Sequence, residues 1–325
     1  MDPVKPFIEN ILYPYMEKTK GNRIRANLKE LQESQYWEQD RLKQLQENKL
    51  RKLLLSSIAD VPAYQMYSSL QAEILTEPLK ALSCFPVLDK GTYRKDPKCY
   101  LNRKALQSSL IPNQTGGSTG EPIQFYIDRH CVEYYEAARW RGLSWWKITP
   151  GSRSVMIWGN PYELSQGEQL KYRMKEKWLK NRIIISANSI KPEEMVNYLK
   201  KIDDFRPDYI YGYASVLFSY SIFILQQGLK PAFTLKAVVS TAETLDDYQR
   251  KTIERAFRCP VVNEYGARDG GILAYQCPLG NMHISAENAI LEVVDEKTRL
   301  PLPSGKSGIL LVTDLNNFSM PRLRF

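Results

Sequence analysis

Histidine is scarce in this sequence, and long apolar runs are missing. The 325 residues include two histidines and no credible nucleophile–His–carboxylate set, which disfavours hydrolytic triads and histidine-rich metal sites. No apolar run reaches the about 18 residues that a membrane-spanning helix needs. The amino-terminal segment lacks the basic region and unbroken apolar core of a secretory signal. We therefore expect a cytoplasmic protein with no transmembrane segment.

Cysteine is too sparse and too scattered for a disulfide framework. The five cysteines are Cys84, Cys99, Cys131, Cys259 and Cys277. An odd, scattered set is typical of reduced thiols in the cytosol. Cys277 and His283 could form half of a zinc site, with Cys259 as a third ligand. A closed site needs four ligands, so zinc is disfavoured.

Lysine and arginine outnumber aspartate and glutamate by 45 to 36, for a net charge of +9. A basic chain attracts anions such as nucleotides, CoA-like ligands, nucleic acid or an acidic membrane surface. The densest basic run is Lys171–Arg182, for which a solvated helix face is the simplest interpretation. Only Tyr172 and Trp178 interrupt it, whereas base stacking needs placed aromatics. We do not expect a nucleic-acid partner, and the sequence leaves a homodimer open.

Strand-like and helix-like segments alternate from Ser154 onward. The predicted strands are Ser154–Trp158, Arg182–Ser186, Asp208–Tyr213, Ala237–Thr241 and Cys259–Tyr265. The helical patterns between them include Pro192–Asp204, Ser215–Gln227 and Leu245–Phe257. This alternation predicts an α/β fold with a doubly wound, mostly parallel sheet and helices on both faces. Ligands of such folds bind outside the carboxyl ends of the strands, where small, polar or aromatic residues follow each predicted strand.

The two ends of the chain differ from this α/β core. Leucines at helical spacing within residues 28–58 predict one or two amphipathic helices, which end before Pro62. We expect a short irregular region after them, which contains Pro86–Pro97. Segments 289–295 and 308–315 are extended and predict an antiparallel end-piece. We therefore expect a mainly helical region over 1–105, an α/β core over 106–280 and antiparallel strands over 281–325, in a chain long enough for one large domain or two ordinary ones.

The segment QTGGSTGEP, Gln114–Pro122, is rich in glycine and hydroxyl side chains. A mobile hairpin tip is one interpretation, because such clusters are usually loops. The segment is not a P-loop, since Glu121 stands at the lysine position and Ile123–Asp128 follows as a predicted strand. Even so, glycine N–H groups and the hydroxyls of Ser118 and Thr119 are suited to holding phosphate.

Several motifs, in order along the chain, resemble those of the adenylate-forming enzymes. The nearer match is their phenylacetate–CoA ligase and capsule-biosynthesis CapK branch, in which the loop lysine is often replaced. The motifs that carry the resemblance are LLSSIADVPAYQ, FPVLDKGTYR, QTGGSTGEP, PDYIYGYASVL, STAETL, NEYGARD, CPLGNMHISAENAILEVVD and LNNFSMPRLRF. They cover nearly the whole chain, and the resemblance implies the large domain of that family.

The resemblance also implies roles for individual residues. The phosphate loop for ATP would be Thr115, Gly116, Gly117, Ser118, Thr119 and Gly120. The adenine and AMP site would comprise Ala242, Glu243, Thr244, Glu264, Tyr265, Gly266, Ala267 and Arg268, with Tyr265 stacked on the base. The acid pocket would include Trp158, Gly212, Tyr213, Ser215 and His283. Asp269 would help to hold Mg²⁺, although the family has a glutamate there and the aspartate is one methylene shorter.

The implied reaction suits this composition. A carboxylate attacks the α-phosphorus of ATP and needs no general base, because it is already ionised at neutral pH. The product would be an acyl-adenylate, and the onward acceptor would be CoA or an amine. The family continues beyond MPRLRF with a ribose-binding Asp and a small mobile domain, so we expect a shortened chain without that lid. The alternative hypothesis is a non-catalytic module in which the phosphate loop is a relic and the basic surface docks a partner or an anionic membrane.

Overall fold

The computed structural model describes residues 4–115, 122–158, 166–187, 192–268 and 270–325. The chain forms two compact units, and each is built from separated stretches of sequence. The first unit consists of Met1–Asn22, Arg139–Gly266 and Ala274–His283. The second unit consists of Arg23–Ala138, Ala267–Leu273 and Ile284–Phe325.

The amino-terminal third of the chain is helical. Its helices are α1 (Val4–Phe7), a π-helical turn (Ile8–Leu12), α2 (Tyr13–Lys20), α3 (Ile24–Ser34), α4 (Gln39–Asp60), α5 (Gln71–Thr76), α6 (Pro78–Ser83) and α7 (Lys90–Lys95), with 3-10 turns at Pro62–Leu70, Pro97–Tyr100 and Gln107–Ser109. The sequence predicts one or two amphipathic helices within residues 28–58, and the structure has two there, α3 and α4; α4 ends at Asp60, two residues before Pro62.

The segment 86–97 is more ordered than the sequence suggests. The sequence predicts an irregular region there, whereas the structure places α7 within it. Asp89 caps this helix, because its Oδ1 accepts a hydrogen bond of 2.8 Å from the backbone N–H of Thr92. The helix is only six residues long, too short for a clear hydrophobic period, so the prediction failed.

Strands and longer helices make up the rest of the chain. They are β1 (Leu110–Gln114), β2 (Gln124–Asp128), α8 (Arg129–Ser144), β3 (Ser154–Trp158), α9 (Gln166–Lys180), β4 (Arg182–Ser186), α10 (Pro192–Phe205), β5 (Tyr209–Tyr213), α11 (Ala214–Gln226), β6 (Ala237–Thr241), α12 (Asp247–Phe257), β7 (Val261–Ala267), β8 (Gly271–Gln276), β9 (Met282–Ile284), β10 (Ala289–Val294) and β11 (Ile309–Asp314).

The main sheet has seven strands in the order β4-β3-β5-β6-β7-β8-β9. The pairings from β4 to β7 are parallel, and helices connect these strands. Every residue of β6 is buried, as expected for a central parallel strand covered on both faces. The predicted α/β fold with a mostly parallel sheet is therefore confirmed.

The two units have separate apolar cores. The core of the first unit joins strand residues such as Val155, Ile210 and Val238 to the buried faces of α10, α11 and α12. The core of the second unit contains Leu53 and Leu54 of α4 together with Phe125 and Ile127 of β2. The antiparallel pair β10–β11, which the sequence predicts, is also confirmed. Among the described residues, no helix has both the length and the apolar character that crossing a bilayer requires.

Candidate functional site

The parallel strands of the first unit end in register, which gathers the predicted site residues at one edge of the sheet. Tyr213 of β5 pairs with Thr241 of β6, and Thr241 in turn pairs with Glu264 of β7. On the other side of β5, Gly212 pairs with Ile157, the neighbour of Trp158. This is the edge where ligands of open α/β sheets bind.

Aromatic rings form a wall at this edge. The ring of Trp158 stacks on that of Tyr213, with centroids 4.2 Å apart and an interplanar angle of 22°. Tyr211 stacks on Trp158 at 6.0 Å. Gly212 lies between the two tyrosines, and a Cβ there would lie 3.0 Å from the carbonyl oxygen of Ile157, so a side chain would crowd the backbone of β3. The glycine thus allows β3 and β5 to approach closely beneath the aromatic wall.

A buried carboxylate lies under the same edge. Glu264 is 2% exposed, and its Oε1 accepts hydrogen bonds from the Tyr211 hydroxyl at 2.5 Å and from the Thr241 hydroxyl at 3.1 Å. Its Oε2 lies 3.6 Å from Nε of Arg139. Burial, and then the negative charge of Glu264, raises the pKa of Tyr211, so the tyrosine remains a donor. The buried carboxylate of Glu264 therefore holds the hydroxyl groups of Tyr211 and Thr241 in place.

Sequence reasoning placed Glu264 in the nucleotide site but missed Tyr211 and Arg139. Tyr211 stands 53 residues before its partner. The alternation within β5 could have shown that Tyr211 and Tyr213 point to the same face. Arg139 gives no such signal, because it lies in α8 among several other charged residues.

The turn after β6 has a constrained backbone. Ala242 has a φ of +64°, in the left-handed region that residues other than glycine seldom adopt. Ala242, Glu243 and Thr244 are all exposed. Oε2 of Glu243 accepts a 2.8 Å hydrogen bond from the backbone N–H of Ser215, in the first turn of α11. Two predicted site segments are therefore in direct contact, at the positive end of a helix dipole.

Tyr265 follows Glu264 in β7 and points the opposite way, as alternation in a strand requires. Its side chain is 47% exposed, whereas that of Glu264 is buried. An exposed ring at the carboxyl edge of a sheet is suited to stacking on a planar group.

In the second unit, the residues on either side of the predicted phosphate loop pair with each other. The backbone N–H of Thr115 donates to the Ile123 carbonyl, and the Ile123 N–H donates to the Thr115 hydroxyl, both at 3.0 Å. The predicted loop residues Gly116, Gly117, Ser118, Thr119 and Gly120 lie outside the described residues, as does Asp269. The hairpin predicted around this loop is confirmed by the antiparallel pairing of β1 with β2.

The same hairpin contacts the segment that follows β7. The Asn113 amide donates to the Arg268 carbonyl at 3.2 Å, and the Arg268 guanidinium lies 3.4 Å from the Gln114 carbonyl. The structure thus joins the base of the predicted phosphate loop to the predicted nucleotide motif, within the second unit.

A cleft of about 890 Å³ opens beside this hairpin, within the second unit. Three cationic side chains line it: Arg94, Lys98 and Arg268. No acidic side chain is among its described lining residues. Sequence reasoning did not single out Arg94 and Lys98, since both are exposed and resemble ordinary surface charges. The cleft is suited to a multiply charged anion.

His283 lies in β9, which is not one of the strands whose ends are described above. Its ring contacts that of Trp145 edge-on, with centroids 5.4 Å apart. The indole N–H of nearby Trp146 donates to the Gln276 carbonyl at 2.9 Å. Through this ring contact His283 packs against the aromatic side chain of Trp145.

Metal ligands do not cluster within the part of the chain that the structure describes. No group of three or more His, Cys, Asp or Glu side chains there could hold an ion. Burial raises the pKa of the Cys259 thiol to about 12, so this cysteine is a poor zinc ligand.

Two curated proteins share sequence with the chain. The CapK protein of Staphylococcus aureus is 27% identical over 216 residues, which are 64% of this chain and 45% of CapK. Phenylacetate-coenzyme A ligase of Thermus thermophilus is 25% identical over 296 residues, 88% of this chain and 64% of the ligase. The chain thus spans between about half and two thirds of these relatives. No protein-family profile matches it.

Solved structures of 2-hydroxyisobutyryl-CoA ligase have the same fold. The complex with 2-HIB-AMP and CoA in the thioesterification state matches with a TM-score of 0.67 and 18% identity, over 89% of this chain and 63% of the ligase. An open conformation with the same two ligands matches with a TM-score of 0.64 and 18% identity, over 86% of this chain and 67% of the ligase. At such identity, the likeness establishes the fold alone.

Proposed function

The chain belongs to the adenylate-forming ligase superfamily, and on this premise we propose that it activates a carboxylic acid with ATP. An oxygen of the substrate carboxylate attacks the α-phosphorus. The bond from that phosphorus to the bridging oxygen breaks, and pyrophosphate leaves with the bonding electrons. The product is an acyl-adenylate. The carboxylate is already ionised at neutral pH, so the protein needs to position charge and not to remove a proton.

The observation that carries the proposal is the convergence of the strand ends in the first unit. Trp158 and Tyr213 supply a flat apolar wall for the organic part of the acid. Ser215 lies in the first turn of α11, whose positive end favours an anion such as a carboxylate. Gly212 keeps the wall close to the sheet.

Adenine binding is assigned to the neighbouring strand ends. The exposed ring of Tyr265 offers a stacking surface. Ala242, Glu243 and Thr244 form the exposed turn after β6, and the Glu243–Ser215 hydrogen bond fixes that turn on α11. Glu264 acts from below as a positioning residue through Tyr211 and Thr241.

Phosphate binding is assigned to the second unit. Thr115 pairs with Ile123 at the end of the β1–β2 hairpin and precedes the glycine-rich sequence, and Arg268 contacts the base of the same hairpin. Arg94 and Lys98 add positive charge to the adjoining cleft. Three cations without a described carboxylate among them suit the charge of a polyphosphate.

The metal ligand and the acceptor are proposed from the sequence motif and from the relatives. Asp269 of the NEYGARD motif is the proposed Mg²⁺ ligand, because its carboxylate supplies the oxygen donor that this ion prefers. CoA is a proposed acceptor because related ligase structures contain it and one relative is a coenzyme A ligase. An amine is the alternative acceptor, and a cytoplasmic location remains the expectation.

The test is acid-dependent exchange of labelled pyrophosphate into ATP, with a panel of carboxylic acids and Mg²⁺. We expect at least one acid to drive exchange. Replacing Arg94 and Lys98 by glutamine should lower kcat/KM for ATP by roughly 10-fold or more, since each side chain contributes a charged contact. The matched control is Lys43→Gln with Lys52→Gln, which removes two exposed charges on α4. ATP binding without exchange for any acid would instead indicate a non-catalytic nucleotide-binding module.

A further inference from the structure

Helix α9 carries the densest basic run of the sequence, and its orientation is unusual for a surface helix. Leu170, Met174 and Trp178, which we call the α9 stripe, are 62%, 53% and 62% exposed. Their spacing of four residues places them along one face. An ordinary surface helix turns such a face toward the core. In α9 the apolar face points to solvent.

The inward face of α9 carries a buried carboxylate. Glu176 is 2% exposed, and it forms ion pairs with Lys180 at 2.7 Å and with Arg182 of β4 at 3.5 Å. Leu179 is half-buried, and Tyr172 is 37% exposed. The Glu176 pairs therefore hold the helix in an orientation that leaves the α9 stripe outside.

Cations flank the α9 stripe on both sides. At about 100° per residue, the stripe covers roughly 80° of the helix circumference. Lys171 and Lys175 fall on one side of it, and Arg173 and Lys177 on the other. The carboxylate of α9 in this stretch, Glu176, is buried and paired on the opposite side. The exposed surface thus combines an apolar centre with a positive rim.

A second apolar stripe occurs on the amino-terminal helices of the same unit. Phe7, Ile11 and Tyr15, the N-terminal stripe, are each more than half exposed and are also four residues apart. The π-helical turn that contains Ile11 packs against α9. The unit therefore presents a second run of exposed apolar side chains on a segment that contacts α9.

We propose that α9 docks this protein on an anionic lipid surface. A helix that lies in a membrane interface needs aliphatic or Trp side chains that enter the acyl boundary and Lys or Arg side chains that meet lipid phosphates. The α9 stripe and its four flanking cations provide both. The N-terminal stripe adds apolar contact area.

Two other occupants suit the surface less well. Nucleic acid is bound by basic grooves with aromatic platforms, whereas the α9 stripe has one aromatic ring beside two aliphatic chains. A second copy of the chain would bring two positive rims together in a symmetric dimer, and like charges oppose that contact.

The test is sedimentation of the full chain with vesicles of phosphatidylcholine alone or mixed with phosphatidylglycerol. We expect binding to the anionic vesicles that weakens with salt, and little binding to the neutral ones. Lys171→Gln, Lys175→Gln and Lys177→Gln together should lower the partition coefficient by about 10- to 100-fold. Leu170→Gln, Met174→Gln and Trp178→Gln together should lower it by about 10-fold or more.

Matched controls change equal numbers of similar side chains elsewhere. The charge control is the triple variant Lys29→Gln, Lys43→Gln and Lys52→Gln, and the apolar control is Met66→Gln, Leu106→Gln and Leu279→Gln, all at exposed positions. Both controls should bind like the unchanged chain. In addition, vesicles should shift tryptophan emission to the blue, and Trp178→Phe should remove most of that shift while binding persists.

Three results would overturn the proposal. Equal binding of neutral and anionic vesicles, or equal losses in the control variants, would exclude a specific lipid surface. Oligonucleotide binding that only the charge variant weakens, without vesicle binding, would assign the surface to nucleic acid. A concentration-dependent dimer that the apolar variant abolishes, without vesicle binding, would assign it to a second copy of the chain.

Discussion

The buried carboxylate of Glu264 should couple β7 to the aromatic wall of β5, and a double-mutant cycle can measure that coupling. The cycle comprises Tyr211→Phe, Glu264→Gln and the double variant. Tyr211→Phe removes the hydroxyl that donates to Oε1 of Glu264 at 2.5 Å but keeps the ring that stacks on Trp158. Glu264→Gln keeps the size of the side chain but removes the charge that faces Arg139 at 3.6 Å.

The expected magnitudes follow from burial. A hydrogen bond to a buried charged group contributes about 1.5–3 kcal/mol, so Tyr211→Phe should lower the free energy of unfolding by that amount. Glu264→Gln should cost about 2–4 kcal/mol, because it breaks one partner of a buried charged cluster. The double variant should cost about 1–2 kcal/mol less than the sum of the two, since residues in one network do not act independently.

The assay is urea unfolding followed by tryptophan emission. Five of the six tryptophans, all but Trp37, lie in the first unit, so the signal reports on the unit that contains Glu264. A suitable control is Tyr198→Phe, which removes a hydroxyl 3.4 Å from the half-exposed carboxylate of Glu194. The control should cost less than about 0.5 kcal/mol. The variants should also raise KM for ATP or the acid, because the cluster positions both strands.

Strict additivity would refute this account. If the double variant costs as much as the two single variants together, Tyr211 and Glu264 do not act as one unit. A Tyr211→Phe variant as stable as the Tyr198→Phe control would likewise show that the hydroxyl contributes nothing to the buried cluster.

Three further predictions test other parts of the structure. Tyr265→Ala should weaken ATP binding about 5- to 30-fold, since stacking on a base contributes roughly 1–2 kcal/mol, whereas Tyr248→Ala on α12 should leave the dissociation constant unchanged. Ala242→Gly should raise the free energy of unfolding by about 0.5–1 kcal/mol, because glycine adopts the positive φ without strain, and an unchanged or lower value in urea would contradict the constrained turn. Burial raises the pKa of Asp314 above its ordinary value of 3.8, so the folded state binds the proton more tightly. The free energy of unfolding should therefore increase as the pH falls from neutrality toward 4, because the folded state binds this proton more tightly. Urea titrations of Asp314→Asn should show a smaller increase over the same pH range.

The order and type of the elements in the α/β part could be predicted closely. The strands Ser154–Trp158, Arg182–Ser186 and Ala237–Thr241 begin and end where the sequence predicts. These strands are short apolar runs bounded by polar or small residues, so the local pattern defines their limits. The convergence of their carboxyl ends then follows from parallel pairing.

Contacts across long stretches of sequence could not be predicted in this way. The approach of Arg139 to Glu264 depends on how α8 packs on the sheet, which no local pattern encodes. Arg94 and Lys98 resemble ordinary solvated charges until the fold places them beside the β1–β2 hairpin. The spacing of Leu170, Met174 and Trp178 predicts an apolar face, but only the buried Glu176 pairs show that this face points outward.

The central claim is that this chain binds ATP and that the exposed ring of Tyr265 takes part in the binding. It is tested most directly by titration calorimetry of the chain with ATP, with and without Mg²⁺, for the unchanged protein and for Tyr265→Ala. We predict one bound nucleotide per chain, tighter binding with Mg²⁺, and a weaker affinity for the variant. Absence of binding, or an affinity that Tyr265→Ala leaves unchanged, would contradict the account.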